Sequence, residues 1–234
     1  MITFAEKVVS FCKELEFNGS LPKGISIMNP FICNPEIIPL ISEFYTKFYN
    51  DFKSRHLILG INPGRFGAGV TGIPFTDTKR LKEKCGINFN IKETYETSSV
   101  FVYDMIEQYG GPHKFYEDFY INSVCPLGFT STGKNKKEIN YNYYDSSLLT
   151  EAVLKFIIEN IKKQIGFGIK TDICFCLGTG KNFKFLEKLN NELRFFGRII
   201  PLEHPRYIMQ YKSKQKQFYI SKYTEEFLKV SSDC

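Results

Sequence analysis

The segment from Leu57 to Phe75 reads L-I-L-G-I-N-P-G-R-F-G-A-G-V-T-G-I-P-F. It begins as a short apolar run, typical of a buried parallel strand, and breaks at Gly60 into a loop rich in glycine and proline. Such a loop presents backbone N–H groups and a few side chains at the carboxyl edge of a sheet, where open α/β sheets bind ligands. Because the loop also carries the amide of Asn62 and two phenylalanine rings, the segment predicts a pocket for a small planar polar ligand.

Neither of the two common phosphate-binding motifs fits this loop. The dinucleotide fingerprint needs closely spaced glycines directly after the strand and a helix that opens on the loop, whereas Pro63 and Pro74 disfavour an early helix. The P-loop motif is absent, since Gly178-Thr179-Gly180-Lys181 is only a fragment of it with the wrong spacing. The sequence therefore does not favour a nucleotide phosphate as the ligand.

The composition is that of a globular protein with one substantial core. The chain has 234 residues, 43% of them hydrophobic, and a mean hydropathy of −0.22. No apolar run approaches the length of a membrane span, and the first residues, M-I-T-F-A-E-K, lack the pattern of a secretion signal, so we expect a cytoplasmic protein. Seven irregularly spaced cysteines indicate free thiols, and a net charge of +6 permits an anionic partner without requiring one.

Strands alternate with helices along the chain, which predicts an α/β fold: a three-layer α-β-α sandwich around a four-stranded, mostly parallel sheet. The predicted strands are 56–62, 119–129, 171–179 and 197–204. The predicted helices are 4–17, 37–52, 77–86, 148–165 (capped by Ser146 or Ser147), 181–193 and 214–229. The stretch 22–39 is predicted to be rich in loops, 87–111 has no clear period, and 130–145 is expected to be a long exposed loop.

Parallel strands bring their carboxyl ends to one edge of the sheet. That edge would gather Asn62, the segment 122–126, the segment 178–180 and His204. Residues distant in the sequence are therefore expected to share one site.

Four motifs occur in a fixed order along the chain: G-I-N-P-G-R-F-G at 60–67, T-G-I-P-F at 71–75, I-N-S-V-C-P-L at 121–127, and a strand that ends in His204-Pro205. Together they resemble the uracil-DNA glycosylase superfamily. The resemblance is closest to the single-strand-selective monofunctional branch, and within it to a bacterial sister group. It extends from Gly60 to about Tyr211 and implies one glycosylase-like domain over 1–234, with an N-terminal helical cover (1–55), a catalytic core (56–211) and a C-terminal helix (212–234).

The resemblance also implies roles for individual residues. Asn62 matches the asparagine that positions the attacking water, and His204 the histidine that stabilises the departing base. Phe75 matches the phenylalanine that stacks on the flipped base, and Asn122 the asparagine that reads the Watson–Crick edge of uracil. The remaining positions match the wall of the substrate pocket: Phe66, Gly60, Ile61, Pro63 and Gly64.

These residue types suit glycosidic bond cleavage. The reaction builds negative charge on the departing uracil, and a histidine N–H aimed at that charge acts only in the transition state. An amide such as Asn62 can orient water but is not a strong base. Because the motifs contain no lysine, a Schiff base and strand cleavage are not expected, and the resemblance implies no cofactor and no metal.

The sequence departs from the family after His204-Pro205. The sister branch reads H-P-S-P-R, whereas this chain reads H-P-R-Y-I-M-Q-Y-K. Arg206, Tyr207 and Met209 are each open as the residue that fills the gap left by a flipped base, and Lys212 is expected to contact phosphate.

The expected partner is uracil-containing DNA, single- or double-stranded, and we expect a monomer that contacts no membrane. The expected function is removal of uracil as the first step of base excision repair. Two alternatives stay open: a glycosylase mainly for xanthine, hypoxanthine or 5-hydroxymethyluracil, and a protein that binds DNA lesions without cleaving them.

Overall fold

A computed structural model describes residues 1–132 and 137–231 of the chain. The strands are β1 (Ile25–Met28), β2 (Arg55–Gly60), β3 (Phe119–Ser123), β4 (Gly128–Thr132), β5 (Glu138–Tyr141), β6 (Ile169–Leu177) and β7 (Arg198–Leu202). The helices are α1 (Phe4–Lys13), α2 (Pro30–Cys33), α3 (Ile37–Tyr49), α4 (Ala68–Thr71), α5 (Thr78–Glu83), α6 (Thr97–Tyr109), α7 (Gly111–Asp118), α8 (Ser147–Ile165), α9 (Lys181–Leu193), α10 (Pro205–Tyr211) and α11 (Lys216–Ser231). No helix within these described ranges is long and apolar enough to cross a membrane.

The centre of the fold is a four-stranded parallel sheet in the order β3-β2-β6-β7. Strand β2 is buried along its whole length, because it lies between two strands and under helices on both faces. The predicted α/β sandwich around a four-stranded parallel sheet is therefore confirmed. Ser146, one of the two residues predicted to cap α8, does so by accepting a hydrogen bond from the backbone N–H of Leu149.

The four parallel strands end at one edge of this sheet. β2 ends at Gly60, β3 at Ser123, β6 at Leu177 and β7 at Leu202. The chain continues from that edge into Asn62 after β2 and into His204 after β7, so the expected gathering of strand ends is present.

The prediction of a long exposed loop at 130–145 is wrong for most of that segment. β4 and β5 pair with each other and with β1 in a second, antiparallel sheet of order β1-β4-β5, and residues 133–136 lie outside the described residues. The predicted strand 119–129 is likewise two strands, β3 and β4, because the chain turns between 124 and 127. β5 is held by backbone pairing and not by burial, so its polar sequence gave no strand pattern.

Six further elements were missed: α2, α4, α6, α7, α10 and β1. α6 occupies part of the stretch 87–111. No helical period was visible there, because the helix is buried on several sides and has no single apolar face. β1 lies in the segment expected to be loops and a helical cover, and α10 follows His204 directly as a helix of seven residues.

Candidate active site

A cleft of about 500 Å³ opens at the carboxyl edge of the parallel sheet. Asn62 and Phe75 of the glycine-rich loop line it, and so does His204, which precedes α10. Ile61, Pro63 and Gly64 also contribute to its wall. The structure thus brings the predicted catalytic pair and most of the predicted loop residues onto one surface.

The side chain of Asn62 is fixed by the end of the missed strand β5 and the residues that follow it. Its Oδ1 accepts a hydrogen bond from the backbone N–H of Tyr143 at 3.1 Å, and its Nδ2 donates to the backbone oxygen of Tyr141 at 3.3 Å. The backbone N–H of Arg65 also donates to Oδ1 of Asn140 in β5, at 3.1 Å. The antiparallel sheet therefore sets the orientation of the Asn62 amide and leaves one lone pair of Oδ1 for a ligand.

Gly60 makes room for the ring of Phe75. A Cβ atom placed on Gly60 would lie 2.8 and 2.9 Å from two carbon atoms of that ring, which is closer than such contacts tolerate. Phe75 itself has a positive φ of 53°, an unusual backbone conformation for a residue with a side chain. The ring centroid of Phe75 lies 5.8 Å from that of His204, with the planes tilted by 49°. The two rings thus form adjoining parts of the cleft wall.

Asn122 lies behind the cleft. It is 8% exposed and borders a small inner cavity of about 20 Å³, which shares Pro63, Ala68 and Pro74 with the cleft wall. Its Nδ2 donates to the hydroxyl of Tyr120 at 2.8 Å, and its Oδ1 accepts from the backbone N–H of Ser123 at 2.8 Å. One hydrogen and one lone pair of the amide are left by these bonds.

His204 is held as a neutral hydrogen-bond donor. It caps α10, and its Nδ1 accepts a hydrogen bond from the backbone N–H of Arg206 at 3.1 Å. Burial, together with a smaller effect of the positive charge of Arg206, lowers the pKa of His204 to about 4. Since Nδ1 is the acceptor, the single proton of the neutral ring is on Nε2.

Phe66 does not line the cleft. Its ring is 49% exposed, and the guanidinium of Arg65 lies over it at 4.7 Å from the centroid. The loop therefore leaves this side chain exposed and outside the cleft wall.

Helix α10 divides the predicted DNA-binding residues between two faces. Arg206 and Tyr207 are exposed and line the cleft, and the ring of Tyr207 lies 5.5 Å from that of Tyr211 one turn later. Met209 is partly buried against the hydrophobic core, and Lys212 follows the last residue of the helix outside the cleft. The structure therefore brings Arg206 and Tyr207 to the cleft, and not Met209 or Lys212.

Glu96 also lines the cleft, and sequence reasoning missed it. It precedes α6, and its carboxylate lies against the glycine-rich loop: a Cβ atom on Gly64 would be 3.1 Å from Oε1, and one on Gly67 would be 2.2 Å from Oε2. The hydroxyl of Ser99 donates to Oε2 at 3.1 Å. Burial raises the pKa of Glu96 to about 7, against a smaller lowering by Ser99. No sequence signal marks Glu96, since only the fold brings α6 beside this loop.

Two comparisons with known proteins identify the family of the chain. The model of the Uracil DNA glycosylase superfamily matches residues 46–228 of the chain. The chain belongs to this superfamily, whose members hydrolyse N-glycosyl bonds and act on DNA. It is similar to the crystal structure of wild-type SMUG2 from Pedobacter heparinus, with 58% sequence identity and a TM-score of 0.97, over 99% of this chain and 100% of that chain. The family resemblance predicted from the motifs is thus confirmed.

Proposed function

We propose that the protein is a monofunctional DNA glycosylase that hydrolyses the N-glycosidic bond of uracil in DNA and so initiates base excision repair. The observation that carries the proposal is the pairing, on one cleft, of a fixed amide at Asn62 with a neutral Nε2–H at His204.

His204 supports the departure of the base. As the bond between the sugar and uracil breaks, its electrons move to the base, and a donor that strengthens its hydrogen bond at that moment lowers the barrier. The hydrogen bond from the backbone of Arg206 to Nδ1 leaves the Nε2 proton for uracil. Because the pKa of His204 is about 4, the imidazole is neutral over the physiological pH range and carries a single proton. It can therefore donate a hydrogen bond as it stands.

Asn62 supports the attack of water. Tyr141 and Tyr143 fix both ends of the amide, so the remaining lone pair of Oδ1 has a defined direction for holding a water molecule. An amide does not accept the proton of that water, so its role is to orient the nucleophile.

The base itself is bound by two residues. Flipping a nucleotide out of the stack costs a few kcal/mol, and stacking on the ring of Phe75 recovers about 1–3 kcal/mol of that cost. Asn122, beyond Pro63 and Pro74, offers its remaining hydrogen and lone pair to the edge of the base. The exposed side chains of Arg206 and Tyr207 lie where the neighbouring nucleotides would pass.

The side chains of the cleft favour simple hydrolysis. Among the described residues that line the cleft there is no lysine, so none of them can form a Schiff base with the abasic sugar. The proposed product is therefore an intact strand with an abasic site.

The test uses labelled single-stranded and duplex oligonucleotides that carry one uracil. Wild-type protein should give strands that break only after treatment with hot alkali, Asn62→Ala should give far fewer, and the surface control Asn88→Ala should behave as wild type. Breakage without alkali would contradict the monofunctional assignment.

A panel with xanthine, hypoxanthine and 5-hydroxymethyluracil tests the alternatives. Cleavage of one of these in place of uracil would replace the proposed substrate. Cleavage of none, together with unchanged DNA affinity in Asn62→Ala and His204→Ala, would favour binding of lesions without catalysis.

A further inference from the structure

The proposed reaction leaves one proton without an acceptor. Water gives up a proton when its oxygen bonds to the sugar, and neither of the two proposed catalytic side chains can take it. Asn62 is an amide, and Nδ1 of His204 is occupied by the backbone N–H of Arg206. We propose that Glu96 is the general base that accepts this proton, an inference that rests on the function proposed above.

The composition of the cleft supports this role. Glu96 is the only carboxylate among the residues of the described chain that line the cleft. Its Oε2 accepts a hydrogen bond from Ser99, whereas its Oε1 has no hydrogen-bond partner among the described residues and lies beside Gly64, two residues after Asn62. A carboxylate oxygen without a partner, on a residue that lines a cleft, is available to a water molecule.

The surroundings of Glu96 set its affinity for a proton. Its pKa is raised to about 7, mainly by burial, and the negative charge of Asp77 adds to the increase. Arg206 on α10 and the hydroxyl of Ser99 oppose it. Asp77 is itself paired with Arg80 at 3.1 Å, which reduces its influence. A base with a pKa close to the working pH is partly ionised and still accepts a proton effectively.

The bond between C1′ of the sugar and the base breaks, and its electron pair leaves with uracil, whose developing anion accepts the hydrogen bond from Nε2 of His204. The oxygen of the water held by Asn62 bonds to C1′, and one of its protons moves to Oε1 of Glu96. Solvent then removes that proton from the carboxyl group and protonates the released base.

The test is the single-turnover rate of uracil release from single-stranded DNA with enzyme in excess, measured between about pH 5.5 and 9. For wild type, the rate should rise about tenfold per pH unit below pH 7 and level off above it. Glu96→Gln should be slower by about 10²-fold or more on the plateau and should lose this pH dependence. The matched control, Glu93→Gln, removes an exposed carboxylate from the same segment outside the cleft and should keep the wild-type profile.

Two further variants separate a base from a residue that only supports the loop. Glu96→Asp should keep the rise near pH 7 at a reduced rate, and Glu96→Ala should be accelerated by added formate, which supplies a carboxylate. A Glu96→Gln variant that keeps the wild-type rate or the wild-type pH dependence would overturn the proposal, and so would a Glu96→Ala variant that formate does not accelerate. An inactive wild type would instead overturn the proposed function, and the role of Glu96 with it.

Discussion

Nδ1 of His204 accepts a hydrogen bond from the backbone N–H of Arg206, two residues further along the chain, at 3.1 Å. This single bond begins helix α10 and also decides which nitrogen of the imidazole carries the proton. The same hydrogen bond therefore sets both the start of the helix and the tautomer of the proposed catalytic histidine.

The protonation of His204 can be observed directly. With a pKa of about 4, its ring should be neutral, with the proton on Nε2, at every pH above about 5. Two-dimensional ¹H–¹⁵N spectra of the side chains, assigned with a His204→Ala sample, check this, since the chain has only three histidines. A charged ring at neutral pH, or a proton on Nδ1, would contradict the arrangement.

Gly60→Ala should displace the ring of Phe75. The added Cβ would lie within 2.9 Å of two ring atoms, so the ring must shift, at a cost of about 1–3 kcal/mol in unfolding free energy. The melting temperature measures the loss of stability, and the rate of uracil release measures the effect on the site. Both should be lower in the variant than in wild type. The control is Asn88→Ala, at an exposed position outside the cleft. Equal effects of the two substitutions would show that the contact with Phe75 is not the cause.

Glu96→Gln should stabilise the fold at high pH. The pKa of Glu96 is raised from 4.5 to about 7, so the folded protein binds this proton more tightly than the unfolded chain. The stabilisation by that proton is complete below pH 4.5 and is lost as the pH rises through 7. Relative to wild type, the variant should therefore gain about 2–3 kcal/mol in unfolding free energy between pH 4.5 and pH 8.

Urea unfolding across this pH range measures the gain. Glu93→Gln serves as the control and should show no such trend, because its carboxylate is exposed. A difference between Glu96→Gln and wild type that does not change with pH would contradict the raised pKa.

Arg206→Ala and Met209→Ala should separate DNA binding from packing. Arg206 is exposed on the cleft, so its loss should weaken binding to any sequence and reduce the slope of log affinity against log salt by about 1. Met209 packs against the core, so its loss should lower the melting temperature and leave that slope unchanged. The salt dependence of fluorescence anisotropy measures the slope, and a Met209→Ala variant that loses DNA affinity while keeping the wild-type melting temperature would assign that residue to the DNA surface.

The sequence predicted those parts of the fold that apolar patterns specify. β2 is a continuous buried run ending at Gly60, and this was sufficient to place the sheet edge and, with the motif order, Asn62 and His204. The strand β5 was missed because half of its residues are exposed and its pairing is through the backbone, which leaves no mark on residue type. That omission concealed how Asn62 is oriented, since Tyr141 at the end of β5 and Tyr143 just after it hold the two ends of its amide.

Glu96 shows a second limit of sequence reasoning. The raised pKa of its carboxyl group comes from burial against a loop some thirty residues earlier in the chain, and neither α6 nor that contact follows from a local pattern. The exposed position of Phe66 is a similar case, because Phe66 and Phe75 are the same residue type in one loop and only Phe75 lines the cleft.

The most direct test of the account is the single-turnover rate of uracil release from single-stranded DNA by wild type and His204→Ala, with DNA affinity measured in parallel. The account predicts a loss of about 10²–10³-fold in rate, corresponding to about 2.7–4 kcal/mol, with little change in affinity, because the Nε2 proton acts mainly in the transition state. Equal rates for the two proteins would contradict the role of His204 and, with it, the central claim that this cleft cleaves the glycosidic bond.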